Sequence, residues 1–401
     1  MTGKTEVVVI GGGYAGVMAA NRLTQRDDVA VTLINPRPVF VHRIRLYQMV
    51  RGADTAVVAY RDVLAEDVRL VVDSAARIDA AGRTVTLAGG GTLGYAYLVY
   101  AAGSGSAAPR VPGAAESAYP VATLEEVRRL RPVLDAAPAA APVTVVGGGA
   151  TGIEVAAELA EDGRSVTLAC GGVLGPDMHP RGRRSVARQL HRLGVKVLDG
   201  PGAKVTAVTG DAVTLADGRE LPSEVTVWTT GFTAPDLAAR SGLSTDAQGR
   251  LRTDETLTSV DDAHIVAAGD CAAPSDLPLR MSCQAAGPTG AHAADTVLSR
   301  IAGTPPAPLT VGFFGHCVAV GSRAATVQIA ARDDTAKGLC IGGRLAATIK
   351  SSSFKGLLGH LSGEARKPGS FTWKFQDTGR PQRLRARHGG APADSGRAAR
   401  P

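Results

Sequence analysis

Residues 7–16 read VVVIGGGYAG and residues 143–152 read VTVVGGGATG, the same apolar run followed by the same glycine spacing. A short unbroken run of aliphatic residues has the length of a strand buried on both faces, and the glycines after it mark a tight turn. In GxGxxG the first glycine permits that turn and the second lets main chain approach a pyrophosphate. The third brings helix against strand, leaving free amides and the positive end of the helix dipole facing the phosphates. Gly11, Gly13 and Gly16 fit this spacing, and so do Gly147, Gly149 and Gly152. One such motif is a weak signal, but here each copy has a strand before it and a helix after it.

Outward from the motifs, residues 5–35 read strand, glycine turn, Ala-rich helix from about Val17, and a second strand, VAVTLIN. Residues 143–170 repeat that order, with a helix ending at Gly163 and the strand SVTLAC. Between the copies, residues 69–104 alternate apolar and polar positions across Gly and Asp turns, as short antiparallel strands do, and residues 203–232 repeat the pattern. The Pro- and Gly-bearing stretches at 107–120 and 231–242 are natural crossings between lobes. The expected fold class is α/β: two Rossmann-like βαβ dinucleotide-binding domains, the second inserted in the first, plus a small C-terminal α+β domain. The expected limits are 1–110 with 240–305, then 111–239, 306–379, and a disordered Arg-rich tail over 380–401.

A carboxylate at the end of the next strand ordinarily accepts hydrogen bonds from both ribose hydroxyls. Here Asn35 stands at that position in the first copy and Cys170 in the second. Asn35 can still accept a ribose hydrogen bond without charge. The missing carboxylate, with Arg181, Arg183 and Arg184 following Cys170, admits NADPH as well as NADH, and a plain basic surface loop accounts for those arginines equally.

Composition narrows the function. The chain has 401 residues, 44% of them apolar, enough for two or three cores. Five single cysteines without CxxC spacing argue against a disulfide framework or a zinc ribbon, so no metal is expected and a cytoplasmic setting fits. The apolar run at 7–10 is too short for a signal-peptide core, so no cleavage is expected. Of the formal charge of +7, six arginines against Asp394 fall within residues 380–401, leaving the body nearly neutral. Specific nucleic-acid binding is therefore not expected. Phe354, Leu357, Leu358 and Leu361, flanked by Lys350 and Lys355, have the spacing of an interfacial helix. Packing on the chain's own core or in a homodimer accounts for the same stripe. At most, peripheral contact with the inner face of a membrane is expected.

GGGYAG, YLVYAAGS, GGGATGIE, VWTTGF and IVAAGDCA occur in that order, and with them the chain resembles the FAD-dependent pyridine nucleotide-disulfide oxidoreductase superfamily. RLYQMVRG at 45–52, MSCQAAGPTGAHAAD at 281–295 and the lack of a redox dithiol are most similar to type II NADH dehydrogenases and relatives of apoptosis-inducing factor. The resemblance implies that the first fold holds FAD through Gly11, Gly13, Tyr14, Ala15 and Gly16. It places Asn35 at the ribose, Arg43 or Arg45 near the diphosphate, main chain at Ala75 by the adenine, and Ala102 and Gly103 along the cofactor. Gly269 and Asp270 would meet the ribityl chain, and the helix starting near Gln284 and Ala285 would aim its N-terminus at the flavin pyrimidine. The second fold would bind NAD(P)H through Gly147, Gly149, Thr151 and Gly152, with Gly231 by the nicotinamide and Glu154 near the nicotinamide and flavin, Glu154 and Gln284 being the expected catalytic residues.

Glu154 and Glu158, one helical turn apart, also read as an exposed acidic stripe. Gln284 matches the first of two glutamines near the quinone in type II enzymes, and Pro288 stands where the second would be. Cys283 reads as a reactive thiol beside the flavin or as a packing residue. Hydride transfer from nicotinamide to flavin needs ring stacking and exclusion of water rather than a general base. The expected activity is an FAD-dependent NAD(P)H oxidoreductase passing electrons to a quinone or other small acceptor. A reductase of a small ferredoxin- or rubredoxin-type carrier and a flavin-bound redox-sensing interaction protein are the alternatives.

Overall fold

In the computed structural model, which describes residues 3–388, the run at 7–10 is the interior of strand Thr5–Ile10 at the centre of a parallel sheet. Alternation sends Val7 and Val9 into one hydrophobic cluster and Val8 and Ile10 into another, which is why no polar residue interrupts the run. The sheet runs in the order 265–267, 97–100, 5–10, 29–35, 69–72. Helix Tyr14–Leu23 packs against it and against helix Cys283–Ile301, where Gly290 lies so close that a Cβ would strike the main chain of Ala15.

A second five-stranded parallel sheet runs in the order 118–120, 225–228, 142–146, 165–169, 196–198. Helix Ala150–Glu161 follows its central strand, and Gly163, just past the helix end, takes the left-handed conformation that stops it. Each parallel sheet is accompanied by a three-stranded antiparallel ribbon, Ala75–Gly94 in the first case and Val205–Pro222 in the second. The chain crosses between the lobes where Gly105–Ser106 pairs with Phe232–Thr233. The fold is therefore a mixed α/β architecture built on two parallel sheets.

Beyond residue 310 an antiparallel sheet of strands 315–319, 325–330 and 336–343 is covered by helix Arg344–Arg366. Two strands are legible in the sequence there. The third is not, because Gly338, Gly342 and Gly343 interrupt its apolar pattern. Phe354 and Leu361 of the long helix are buried, and Leu357 and Leu358 pack against the core beside the first sheet, so of the two readings of the stripe, packing on the chain's own core is the one observed. Among the described residues no helix is long and apolar enough to cross a membrane.

The expectation of disorder from residue 380 onward fails at its start. Arg380–His388 is a helix, and Arg380 is buried, donating to Glu255 and to the carbonyls of Pro274 and Leu277. Low apolar content suggests a solvated segment, but one arginine matched to a carboxylate and two carbonyls anchors it. Residues 389–401 lie outside the described residues.

Candidate functional site: two dinucleotide cradles

Gly11 and Gly147 adopt φ of +100° and +123°, which only glycine takes without strain. A Cβ on Gly16 would run into the carbonyl of Gly11, and one on Gly152 into that of Gly147, so each third glycine sets the helix against its turn. At Gly13 and Gly149, by contrast, a Cβ would meet nothing within 4 Å. Both residues are helix N-caps without a side-chain hydrogen bond. Each helix thus begins with amides that no side chain caps, Ala15 in the first and Thr151 in the second lying in that opening turn, beside open space. This is the arrangement a pyrophosphate requires, made twice.

The two strand ends differ. Asn35 Oδ1 accepts from the Gly12 amide at 3.0 Å and its Nδ2 donates to Arg37 O at 2.8 Å, while Tyr60 donates to Gly12 O at 2.9 Å. The first turn is therefore held by two buried side chains. In the second, Cys170 packs against Gly148, its thiol pushed up to about 12 by burial and by Asp199. The arginines after Cys170 do not gather there. Arg183 is engaged by the carbonyls of Gly175, Pro176 and Met178, and Arg181 and Arg184 line a separate cavity.

Asp270, in the short turn 269–271, accepts from Ser104 Oγ at 2.7 Å, and Arg43 donates to Ser104 O at 2.7 Å while lying 3.7 Å from Asp270. Gly103 (φ +73°) and Ala102 lead into Ser104, and the Gly269 amide donates to Thr289 Oγ1 at 2.9 Å. Arg45 is directed elsewhere, to Gln48 and over the Phe354 ring. Ala75 opens the first ribbon, with only main chain to offer a ligand. The Tyr14 hydroxyl is buried against His42 Nδ1 at 2.8 Å, so the side chain belongs to the core and only its main chain can serve a cofactor. Burial, then Arg45, lowers His42 to about 4 and keeps its ring neutral. Gly231 (φ +81°) sits at the lobe crossing, its carbonyl accepting from Ala107.

Glu154 and Glu158 do not form an exposed stripe, since both are buried. Glu158 pairs with Arg51 at 3.3 Å. Glu154 Oε1 accepts from Lys350 Nζ at 2.9 Å and from the Ala319 amide at 3.0 Å, and Lys350 also donates to Cys317 O. Gln284 is held at both ends, accepting from Phe314 N at 3.1 Å and donating to Gly315 O at 3.3 Å. Helix Cys283–Ile301 begins one residue before Gln284, and Ser282 caps it by accepting from Ala285 N. Burial pushes the Cys283 thiol up to about 11, so it stays protonated and unreactive at neutral pH. Ser104, His42, Thr289 and Lys350 are the site residues the sequence reading missed. Ser104 and Thr289 stood inside quoted motifs, and His42 and Lys350 did not. Among the described residues, no group of three or more His, Cys, Asp or Glu could hold a metal ion.

A family model described as pyridine nucleotide-disulphide oxidoreductase matches residues 5–294. The chain is 33% identical over 353 residues to an NADH dehydrogenase-like protein of Mycobacterium tuberculosis, covering 80% of this chain and 87% of that one. It is 29% identical to a type II NADH:quinone oxidoreductase of the same organism, over 76% of this chain and 74% of the relative. The solved sulfide:quinone oxidoreductase of Aquifex aeolicus superposes with a TM-score of 0.77 at 20% identity, covering 91% and 93% of the two chains, a likeness of fold.

Proposed function

This chain belongs to the pyridine nucleotide-disulphide oxidoreductase family, and from that premise we propose that the first cradle keeps FAD, the second takes NADH, and the electrons leave to a quinone or another small acceptor. The protein is an FAD-dependent NAD(P)H oxidoreductase. The residues present fit the flavin dinucleotide: an uncapped helix start at Gly13, open space above it, and a carboxylate, Asp270, suited to a row of hydroxyl donors. FAD bound there supplies two-electron exchange between a nicotinamide and an acceptor.

The observation that carries the assignment is the asymmetry of the two strand ends. The first turn is tied by Asn35 and Tyr60 and continues through Ser104 to Asp270, a long path of fixed polar groups suited to a resident dinucleotide. The second ends at an uncharged Cys170 with fewer fixed partners, as suits a dinucleotide that must leave after each turnover. Arg183 is occupied by loop carbonyls and Asp199 acts on Cys170, which supports NADH over a cofactor bearing an extra phosphate.

The chain's own residues shape the space between cradles. Glu154 and Lys350 neutralise each other below Tyr47 and Phe354, whose rings lie 5.9 and 5.5 Å from the ammonium. A buried neutralised pair under aromatic rings keeps the region dry without a free charge. The type II relative's name supports a quinone as acceptor. The test is reoxidation of the NADH-reduced protein by a panel of quinones, a rubredoxin and oxygen. Fast reoxidation by quinones is expected, and reoxidation by rubredoxin alone would refute that acceptor.

A further inference from the structure

Helix Pro180–Arg192 carries Arg181, Arg184, Arg188 and Arg192 at spacings of three and four, so the four guanidinium groups share one face. That face forms a wall of a cavity of about 1070 Å³, and Arg51 and Arg323 line it too. Like charges one turn apart repel each other, and an ordinary solvated helix relieves that repulsion with interspersed carboxylates. None of Arg181, Arg184, Arg188, Arg192 and Arg323 has an ion-pair partner among the described residues. Among the described residues one acidic side chain lines the cavity, Glu161, and it is already engaged by Arg51 at 2.9 Å and by the Ser322 amide at 2.8 Å.

The floor of the cavity is polar and built. Gln189 and Ser185 are each 7% exposed and are tied to one another and to Thr326. Gln189 Oε1 is buried and has no hydrogen-bond partner among the described residues. Guanidinium groups without carboxylate partners around a polar floor suit a ligand that brings several anionic oxygens. The volume lies just above the usual range of small-molecule sites, and a floor of buried polar side chains distinguishes it from a surface meant for a flat bilayer.

The cavity is separate from the dinucleotide cradles. Glu161, at its edge, is the last residue of the helix that starts beside Gly149, and twelve helical residues span about 18 Å. None of Gly147, Gly149, Gly152 and Cys170 lines it.

We propose that this cavity binds a polyphosphorylated small molecule of the nucleoside di- or triphosphate class, at a site separate from the two cradles. The phosphates engage Arg181, Arg184, Arg188, Arg192 and Arg323, and the remainder of the molecule lies over the floor formed by Ser185 and Gln189.

The test is titration calorimetry on the FAD-loaded full chain with inorganic tripolyphosphate and with GTP, on wild type and on Arg188→Gln/Arg192→Gln. Both arginines are exposed, so the fold should survive, and an unchanged melting temperature and unchanged reduction by NADH verify this. The double variant should weaken binding of both tripolyphosphate and GTP about tenfold or more for each arginine lost. Equal binding to wild type and double variant would overturn the proposal by placing the anion in a cradle. Failure to bind either probe, with arginine-dependent sedimentation on phosphatidylglycerol vesicles, would overturn it in favour of a membrane surface.

Discussion

Lys350 Nζ lies 2.9 Å from Glu154 Oε1, joining the helix that follows the second glycine turn to the long C-terminal helix across 196 residues of sequence. Both side chains are nearly buried, at 12% and 11% exposure. Removing one partner of such a pair leaves an uncompensated charge, so Lys350→Met should cost about 3–5 kcal/mol in denaturant unfolding, and Glu154→Gln/Lys350→Met should recover part of it. Burial lowers the Lys350 pKa, but Glu154 and its other neighbours outweigh burial and the net shift is upward. The contribution is therefore full below the ordinary lysine value of 10.5 and is lost as pH rises through the higher folded value. An alkaline loss of stability in wild type that is absent in the double variant is the expected readout.

His42 gives the opposite pH dependence. Its pKa falls from 6.5 to about 4 because burial and then Arg45 disfavour the charged ring. A depressed value means stability is full above 6.5 and falls as pH drops toward 4, by roughly 3 kcal/mol over that window. Urea unfolding from neutral to acid pH should show this slope, and His42→Leu should flatten it.

The glycines separate binding from folding. Gly149 has φ −76°, a conformation open to any residue, and faces empty space, so Gly149→Val should melt with wild type and retain FAD while losing reduction by NADH. Gly152→Ala differs, because its Cβ would press on the Gly147 carbonyl, and it should lower the melting temperature itself. Dialysis for FAD and thermal melts distinguish the two outcomes.

Asp270→Ala removes the acceptor of the Ser104 hydroxyl and the carboxylate near Arg43. Loss of hydrogen bonds to a charged group should cost about 1.5–3 kcal/mol of FAD binding, or roughly 10- to 100-fold in retention, measured by equilibrium dialysis.

Arg380 and Arg383 test the short terminal helix. The Arg380 side chain is 2% exposed and pairs with Glu255, so Arg380→Met should cost about 3–5 kcal/mol. Arg383 is 37% exposed but its partner Asp377 is only 4% exposed, so Arg383→Met should also be destabilising, by less than Arg380→Met because the arginine itself is solvated.

The parallel sheets and both glycine turns were legible because one local constraint, a strand that turns at once into a helix, forces glycine at fixed spacing. Gly11, Gly16, Gly147 and Gly152 show that constraint in φ and in close approach. Lys350 was misread as a helix-flanking charge because its partner lies 196 residues away, and no local pattern marks such a pair. Arg380 was lost in an Arg-rich stretch for the same reason: burial is decided by Glu255, 125 residues earlier. Arg181 and Arg184 looked like ribose-site residues by proximity to Cys170, yet helical phase turns them to a different cavity.

The central claim is that one cradle keeps FAD while the other brings a nicotinamide to it. Its most direct test is anaerobic stopped-flow mixing of the purified yellow protein with NADH, watching the flavin's visible absorption, with Gly149→Val alongside. The expected result is rapid bleaching in wild type and none in the variant, with FAD content equal in both. A colourless protein that cannot be reconstituted with FAD, or bleaching by NADH that is the same in Gly149→Val, would contradict it.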